Sequence, residues 1–424
     1  MKEEEVVKVW QQQLICKTGL TTEDGQTLEV IYPGRPNDDR GADFRDAVIK
    51  SNRTLLHGDV EIHVLSSDWH GHGHDRDHEY NRVILHVVMR HDYSGETILQ
   101  NGLSVPVLAL GKFLCTSATG PPCERADSVF VSSYLDKAGD ARFRFKAANF
   151  RHRLLEVSPP QVLYEGIMEA LGYAKNKTPF VNLSRIITID QLESLQKAAS
   201  KKEGVILLQR KLLAAANQVS GWNTYKIRPS NSPVRRLMAI PRLLNRYRED
   251  GLLAGLRSEI LRSGTKNKSG PGALVKALLV TAGSREINSF TLLGKERAGE
   301  IIVNVLLPFF YALGKGQKKI PLSRKSLGIY RDFPGYAANS IITHMSQQLR
   351  LAGKTVKTAR RQQGLLHTYK EWCRRGRCSE CPLSQFEAGI RVQLQAVGFP
   401  GDEAEIPACR DHGSVIGAKP DRRD

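Results

Sequence analysis

The first hundred residues alternate between apolar and polar positions in a way that predicts a small α/β unit. Residues 3–14 carry a helical apolar face that includes Trp10. Four later segments alternate like strands, and a polar, histidine-rich stretch with one helical turn precedes the fourth of them. The predicted strands are residues 27–32, 43–50, 59–65 and 82–89. The predicted order is therefore helix, three strands, helical turn, strand.

Beyond residue 100 the pattern becomes mostly helical. Two further strands are predicted, at residues 105–110 and 141–145, and two polar segments, 263–272 and 315–325, are predicted to be loops. The predicted helices are residues 164–171, 191–199, 205–219, 233–247, 299–313, 338–350 and 354–373. These patterns predict an α+β fold, in which a small mixed α/β N-terminal core is followed by a mostly α-helical C-terminal region with a cysteine cluster.

The length of the chain predicts more than one domain, and its charge differs between the N-terminal part and the remainder. At 424 residues it is long enough for two or three domains, predicted at 1–155, 156–372 and 373–424. The net charge of +18 is uneven, because residues 1–130 hold 13 basic and 20 acidic side chains and the remainder is net +25. A strongly basic region favours a nucleic-acid partner, since Lys and Arg neutralise phosphates. A merely solvated basic surface is the alternative.

The sequence also indicates the cellular compartment. The start MKEEEVVKVW lacks the basic and apolar regions of a signal peptide. The longest apolar run, residues 301–314, is shorter than the roughly 20 residues that span a bilayer. Seven cysteines, an odd number, do not resemble a disulfide framework. A cytoplasmic protein without membrane contact is expected.

Two neighbouring predicted strands carry two carboxylates and a histidine that can lie side by side. Glu61 and His63 lie two residues apart, so they project from the same face of a strand. The neighbouring strand can set Asp43 beside them. Converging carboxylates bind Mg²⁺ or Mn²⁺, and His63 would then orient the attacking water or act as general base. The alternative is a strand-edge acid beside a Glu–His pair with a structural role.

This arrangement resembles the PD-(D/E)XK nuclease superfamily, and the order of elements resembles the restriction-endonuclease-like core of that superfamily. Two residues depart from its pattern: Ala42 replaces the proline before the aspartate, and His63 replaces the usual lysine. A neutral imidazole does not supply a permanent cation, although it can accept a proton or bind a metal.

The stretch Ser67-Asp68-Trp69-His70-Gly71-His72-Gly73-His74-Asp75-Arg76-Asp77 contains three histidines and three aspartates. Alternate imidazoles on an extended segment can face one side and bind a transition metal. The stretch resembles the HxHxDH zinc motif of metallo-β-lactamase-type nucleases, but His74-Asp75 reverses the Asp-His order. A zinc hydrolase is therefore one reading, and a loop that handles substrate beside the carboxylates is another.

A cysteine cluster follows the last predicted helix. Cys373, Cys378 and Cys381 have the spacing C-x4-C-x2-C, and Cys409 is a candidate fourth ligand. Such thiolates bind Zn²⁺ or an iron–sulfur cluster. The motif resembles the iron–sulfur patch of certain DNA-repair glycosylases and of some PD-(D/E)XK nucleases. Glu387 occupies the place of their fourth cysteine, and His367 is a possible substitute ligand. Free thiols are the alternative.

The predicted helix 354–373 combines an apolar face with basic side chains. Its arginines and those of the cysteine cluster are candidates for contact with a nucleic-acid backbone. The four candidates are Arg360, Arg361, Arg374 and Arg375. A solvated basic face is the alternative reading of the same pattern.

Several motifs together resemble the bacterial domain-of-unknown-function family 2851. The stretches that carry the resemblance are residues 19–25, 41–44, 60–69, 83–88, 163–173 and 362–366. His72, His74, Asp77 and Tyr80 fall where that family has the same residues. The usual Gly-Pro-Asp-Phe of the family is Gly-Ala-Asp-Phe here. The resemblance implies no established activity, but it makes these four residues second candidates for the site around Asp43.

The leading hypothesis is a metal-dependent nuclease or related phosphodiesterase that acts on DNA or RNA. Asp43 and Glu61 would bind Mg²⁺ or Mn²⁺, and the cysteine cluster would bind zinc or an iron–sulfur cluster. The alternative is a catalytically inactive nucleic-acid-binding or scaffold protein, which the missing lysine favours.

Overall fold

A computed structural model describes residues 1–386, except positions 17, 116–120, 174, 226, 265–268, 283–289 and 354. The predicted α+β class is confirmed, since a mixed sheet near the N-terminus is followed by a mostly helical region. The strands are β1 Leu20–Thr21, β2 Thr27–Tyr32, β3 Arg35–Pro36, β4 Phe44–Ser51, β5 Thr54–Leu65, β6 Val83–Arg90, β7 Thr97–Ile98, β8 Ser104–Val105, β9 Val107–Ala109, β10 Val280–Ala282 and β11 Phe290–Leu293.

The main sheet has the order β1-β2-β4-β5-β6-β9, with β3 paired to β4. Strands β1 to β5 pair antiparallel, whereas β6 runs parallel to β5 and β9 runs parallel to β6. The strands predicted at 27–32, 43–50, 59–65 and 82–89 are therefore present, because their alternating apolar residues fill one core with α1. The predicted order of elements, from the first helix to the fourth of these strands, is observed.

The helices are α1 Glu3–Gln12, α2 Asp68–Gly71, α3 Ser128–Arg153, α4 Pro159–Leu171, α5 Lys177–Ile186, α6 Ile189–Ala198, α7 Lys201–Ala216, α8 Pro233–Leu237, α9 Ala239–Arg246, α10 Leu252–Arg262, α11 Ser269–Leu278, α12 Lys295–Ile301, α13 Leu307–Gly316, α14 Ile320–Asp332, α15 Ser340–Gln348, α16 Ala359–Glu371 and α17 Pro382–Gln385. A π-helical turn, Ile302–Leu306, joins α12 to α13.

Three sequence predictions in the helical region were wrong in whole or in part. The segment 141–145 was predicted as a strand, but it lies inside α3. Its alternation is part of a helical face, since Ala138, Ala141 and Ala147 are buried along the same helix. The two predicted loops are partly helical as well, because α11 begins within the first and α14 begins within the second.

Helix α3 connects the sheet to the C-terminal helices. A Cβ atom at Gly139 would lie 2.1 Å from the backbone oxygen of Arg360, and one at Gly364 would lie 2.3 Å from that of Leu135. The two glycines therefore let α3 and α16 approach more closely than larger residues would allow. A shared apolar cluster then joins residues of β2 and β4 to α3, α15, α16 and α17.

The apolar run at 301–314 belongs to a longer helix, Lys295–Gly316, which is long and apolar enough to cross a membrane by length and composition. However, 78% of its most apolar window is buried inside the fold. That degree of burial is typical of the core helix of a globular protein.

Candidate metal-binding site

The centre of the site is the hairpin of β4 and β5. Phe44 pairs with Val60 in the antiparallel register, so Asp43 stands opposite Glu61. The backbone N–H of Asp43 donates to Glu61 Oε2 at 2.9 Å, and the N–H of Ile62 donates to Asp43 Oδ2 at 3.1 Å. The register shifts between Phe44 and Ala47, a bulge of the kind that re-aims side chains beside functional sites.

Three imidazoles lie together, and two of them approach the Glu61 carboxylate. One ring nitrogen each from His63, His72 and His74 lies within 4.8 Å of the other two. His63 Nε2 is 3.6 Å and His74 Nε2 is 3.1 Å from Glu61 Oε1. His74 Nε2 is buried and has no hydrogen-bond partner among the described residues. This buried nitrogen and the carboxylate oxygen beside it are therefore two ligand atoms that one cation could bind.

A second line of contacts leads from His63 into the sheet. His63 Nδ1 lies 2.9 Å from His86 Nε2, and His86 Nδ1 lies 3.3 Å from Thr97 Oγ1. On its other side His63 Nε2 lies 3.1 Å from His72 Nδ1. If His63 donates its Nδ1–H to His86, its Nε2 keeps a lone pair that points toward His72 and Glu61. This outer hydrogen bond is the type that orients a metal-binding histidine.

The segment between β5 and β6 closes over the cluster. Trp69 is fully buried in α2, and its indole N–H donates to Ile98 O at 3.0 Å. The ring of Tyr80 stacks on His74 with 3.8 Å between centroids. Asp77 accepts a hydrogen bond from the N–H of Glu79, so it caps the short helical turn that carries Tyr80. Asp77 is therefore a positioning residue in this geometry.

A model of the family described as "Protein of unknown function (DUF2851)" matches residues 3–220, just over half of the chain. The chain belongs to this family. The match covers α1, the complete main sheet and all the residues of the histidine and carboxylate site. No curated protein and no solved structure matches the chain.

Burial sets the protonation of the site in this family member. Burial and the charge of Glu61 raise the pKa of Asp43 to about 7, and burial raises the pKa of Glu61 to about 8. Burial and the neighbouring imidazoles lower the pKa of His63 to about 2 and that of His86 to about 3. His63 and His86 are therefore neutral at neutral pH. The carboxyl groups hold protons that a cation would displace.

The N-terminus of α1 adds a third carboxylate. The charge of Glu3 contributes to the raised pKa of Asp43 and of Glu61, and it opposes the lowering of the pKa of His74. Glu3 is exposed, so it stands at the solvent side of the cluster. Sequence reasoning did not place Glu3 in the site.

His86 is the other residue of the site that sequence reasoning missed. It is fully buried in β6, where it pairs in register with Glu61 of β5. A signal was present in the sequence, because His86 is the one polar residue in the apolar run Val-Ile-Leu-His-Val-Val. A histidine in the middle of a strand buried on both faces needs a polar partner.

The candidate nucleic-acid residues are all in ion pairs. Arg360 makes a two-pronged contact with Asp140, and Arg361 does the same with Asp136 across the α3–α16 interface. Arg374 Nε lies 3.3 Å from an oxygen of Asp46, and Arg375 Nη1 lies 3.0 Å from one of Glu371. The side chains of the first pair are 22% and 27% exposed and those of the second 52% and 50%. The predicted role of the four in nucleic-acid binding stays a prediction.

The cysteine candidates lie away from this site. Cys373 and Cys378 lie in two short helical turns after α16, and Cys381 precedes α17. Cys409 lies outside the described residues. Burial lowers the pKa of His367, considered as a substitute ligand, to about 4, and the charges of Arg142 and Arg375 lower it further.

Proposed function

We propose that this protein is a metal-dependent phosphodiesterase that cleaves DNA or RNA at the cluster around Glu61. The observation that carries the proposal is the trio of ring nitrogens of His63, His72 and His74, with the buried Glu61 carboxylate beside two of them, His63 and His74. Asp43 adds a second carboxylate through its hydrogen bonds with the same hairpin. Buried acids and imidazoles gathered without a paired cation point to a divalent metal ion.

The sequence leaves both Mn²⁺ and Mg²⁺ open. The mixture of imidazole nitrogens and carboxylate oxygens in the site favours Mn²⁺. Mg²⁺ prefers oxygen ligands and keeps much of its water shell, whereas imidazole suits Mn²⁺ and the later transition metals better. Glu61, His63, His72 and His74 would hold the ion, and Asp43 would approach it through a bound water or directly. When bound, such an ion polarises a scissile phosphate and lowers the pKa of an attacking water.

The remaining residues have supporting roles in this proposal. His86 accepts the Nδ1–H of His63 and so keeps the Nε2 lone pair directed into the site. Tyr80 stacks on His74 and fixes its ring. Arg40 lies on the rim, where its guanidinium is 3.8 Å from Asp77 and 43% exposed. It is the candidate for a first contact with a phosphate of the substrate.

The alternative is a nucleic-acid-binding or scaffold protein without activity. One observation favours it: His63 is 1% exposed and held between two imidazoles, so it cannot act as the permanent cation that its superfamily counterpart supplies. In the proposed enzyme this cationic role passes to the metal ion and to Arg40. The two functions can therefore be distinguished by whether the protein cleaves nucleic acid in the presence of a divalent cation.

The test is cleavage of labelled DNA and RNA oligonucleotides by the full-length protein, with Mn²⁺ or Mg²⁺ or with a chelator. We expect cleavage with Mn²⁺ that Glu61→Gln and Asp43→Asn abolish. Glu79→Gln is the matched control, because Glu79 lies in the same segment but its carboxylate is not part of the cluster. Cleavage that persists in Glu61→Gln would refute the site. Binding without cleavage in the wild type would favour the scaffold.

A further inference from the structure

Four cysteines from two distant parts of the chain lie together at the junction between the sheet and the C-terminal helices. Cys123 lies in the short helical turn Pro122–Arg125 that precedes α3, and α17 packs against this turn. The side-chain amide of Gln348 lies 3.5 Å from Cys123 Sγ and 3.9 Å from Cys373 Sγ. One amide thus reaches two sulfurs that are 250 positions apart in the sequence.

Cys378 and Cys381 complete the group. The pKa of Cys373 is raised because the thiol is buried and because Cys378, Cys381 and Cys123 lie near enough for their charges to act on it. Burial raises the pKa of Cys381 to about 12, and the backbone N–H groups of Leu383 and Ser384, which hydrogen-bond to its sulfur, oppose that rise. Buried cysteines that serve only as small apolar residues do not need such donors.

The burial of the four sulfurs agrees with a ligand role. Cys123 is 8% exposed, and Cys373 and Cys381 are each 4% exposed. Cys378 is only half buried, and all four are free of disulfide bonds. We infer that Cys123, Cys373, Cys378 and Cys381 form a four-cysteine iron–sulfur site, in which Cys123 supplies the fourth ligand in place of Cys409.

The spacing of the sulfurs distinguishes a cluster from a single ion. A tetrahedral zinc ion with bonds of about 2.3 Å needs its sulfurs about 3.8 Å apart. Within the described part of the chain, no three of these four sulfurs lie within 4.8 Å of one another, whereas the histidine trio does. A four-iron cluster holds its four cysteine sulfurs further apart, because each sulfur binds a different iron.

Such a site would join the end of the N-terminal part to the end of the described chain. The turn of Cys123 follows the sheet, and the other three cysteines follow α16, which itself packs on α3. Binding at four ligands closes a loop of about 250 residues, so the site would stabilise the packing of α3 against α15 and α16.

The first experiment measures iron, acid-labile sulfide and zinc in full-length protein purified without oxygen from iron-supplemented cells. We expect iron and sulfide in equal amounts and a visible absorbance that oxidation bleaches. Cys123→Ser should lose as much iron as Cys381→Ser, while Cys115→Ser, a change in a cysteine outside the group, should keep the wild-type content. Full iron in Cys123→Ser with loss in Cys409→Ser would overturn the assignment of the fourth ligand. Zinc without sulfide, or neither metal, would overturn the cluster.

A second measurement needs no variant, so it also stands if Cys123→Ser fails to fold. Thiols of the native wild-type protein are alkylated before and after the iron is removed by oxidation and chelation. Cys378 is half buried, so burial alone does not protect it. We expect Cys378 to react only after iron removal, whereas the exposed Cys16 reacts in both states. Equal labelling of Cys378 in both states would contradict its ligation.

Discussion

Asp43 and Glu61 are joined across the β4–β5 hairpin by two reciprocal hydrogen bonds. The backbone of Asp43 donates to the carboxylate of Glu61, and the backbone next to Glu61 donates to the carboxylate of Asp43. Each carboxylate therefore has its orientation fixed before any ligand arrives. Preorganisation of this kind lowers the cost of bringing two negative charges to one cation.

His63→Lys separates two roles for this residue. If His63 is a ligand, a lysine ammonium beside His72 and His74 would repel the cation and offer no lone pair. We expect Mn²⁺ affinity to fall at least about 100-fold, since even residues that only orient a ligand cost 10–100-fold when removed. A Mn²⁺ titration of the chelator-treated protein measures this. Retained or raised cleavage in the variant would mean that His63 does the work of the superfamily lysine.

The pH dependence of stability follows from the same carboxyl groups. With pKa values of about 7 for Asp43 and about 8 for Glu61, they hold protons in the folded, metal-free protein that they lose on unfolding. Because the unfolded chain binds fewer protons, the free energy of unfolding should fall as pH rises from about 6.5 to 8. Urea unfolding in chelator across this range measures the slope. Glu61→Gln should flatten it, and an unchanged slope would exclude Glu61 as its source.

Below pH 6.5 the histidines oppose the trend set by the carboxyl groups. The pKa values of His63 and His86, about 2 and about 3, lie below the ordinary value of 6.5, so only the unfolded chain gains these protons. Their contribution to stability is present above pH 6.5 and is lost as pH falls toward the folded-state pKa values.

Mn²⁺ binding should release protons at pH 7, because Asp43 and Glu61 must ionise. Calorimetry in buffers of different ionisation enthalpy counts these protons.

His86→Ala tests the outer hydrogen bond. His86 does not face the proposed ion but accepts from His63, so its loss should weaken Mn²⁺ binding about 10–100-fold without abolishing it. His86→Gln can restore an acceptor and should recover part of the affinity. His78→Ala is the matched control, because His78 lies in the same segment with its side chain 74% exposed. Equal affinity in His86→Ala and wild type would remove His86 from the site.

The four arginines should divide into two pairs with different effects. Arg360→Glu would place a like charge beside the buried Asp140, which would keep only Arg331 as a cationic partner among the described residues. We expect a loss of up to about 3 kcal/mol in the free energy of unfolding. Arg374→Glu with Arg375→Glu changes exposed side chains and should leave stability nearly unchanged. If these two contact phosphates, the double variant should flatten the log–log salt dependence of duplex binding by about 0.9 per contact. An unchanged slope would remove both from the interface.

Local pattern was enough to predict the part of the fold that holds the site. Strand β2 and the i, i+2 relation of Glu61 and His63 follow from alternation alone. The pairing of Asp43 with Glu61 was also predictable, because a hairpin between adjacent strands leaves little choice of register. Segment 141–145 was mispredicted, since five residues that alternate between apolar and polar side chains are too few to distinguish a strand from one stretch of a helical face.

Long-range relations could not be predicted in the same way. Cys123 lies 250 residues before Cys373. It is a lone cysteine that follows two prolines and precedes a charged turn, so no short spacing relates it to the other three cysteines of the group. The ion pairs of Arg360 and Arg361 depend on how α16 packs against α3. Periodicity identified the helix that carries these arginines, but only the packing shows that they face aspartates.

The central claim is that Glu61 and the histidines bind one divalent metal ion. The most direct test is an electron paramagnetic resonance titration of free Mn²⁺ with chelator-treated, full-length protein, wild type against Glu61→Gln. The account predicts that the wild type removes one equivalent of Mn²⁺ per chain at pH 8, where Asp43 and Glu61 ionise most readily, and that Glu61→Gln removes little. Equal uptake by both proteins, or no uptake by the wild type, would contradict it.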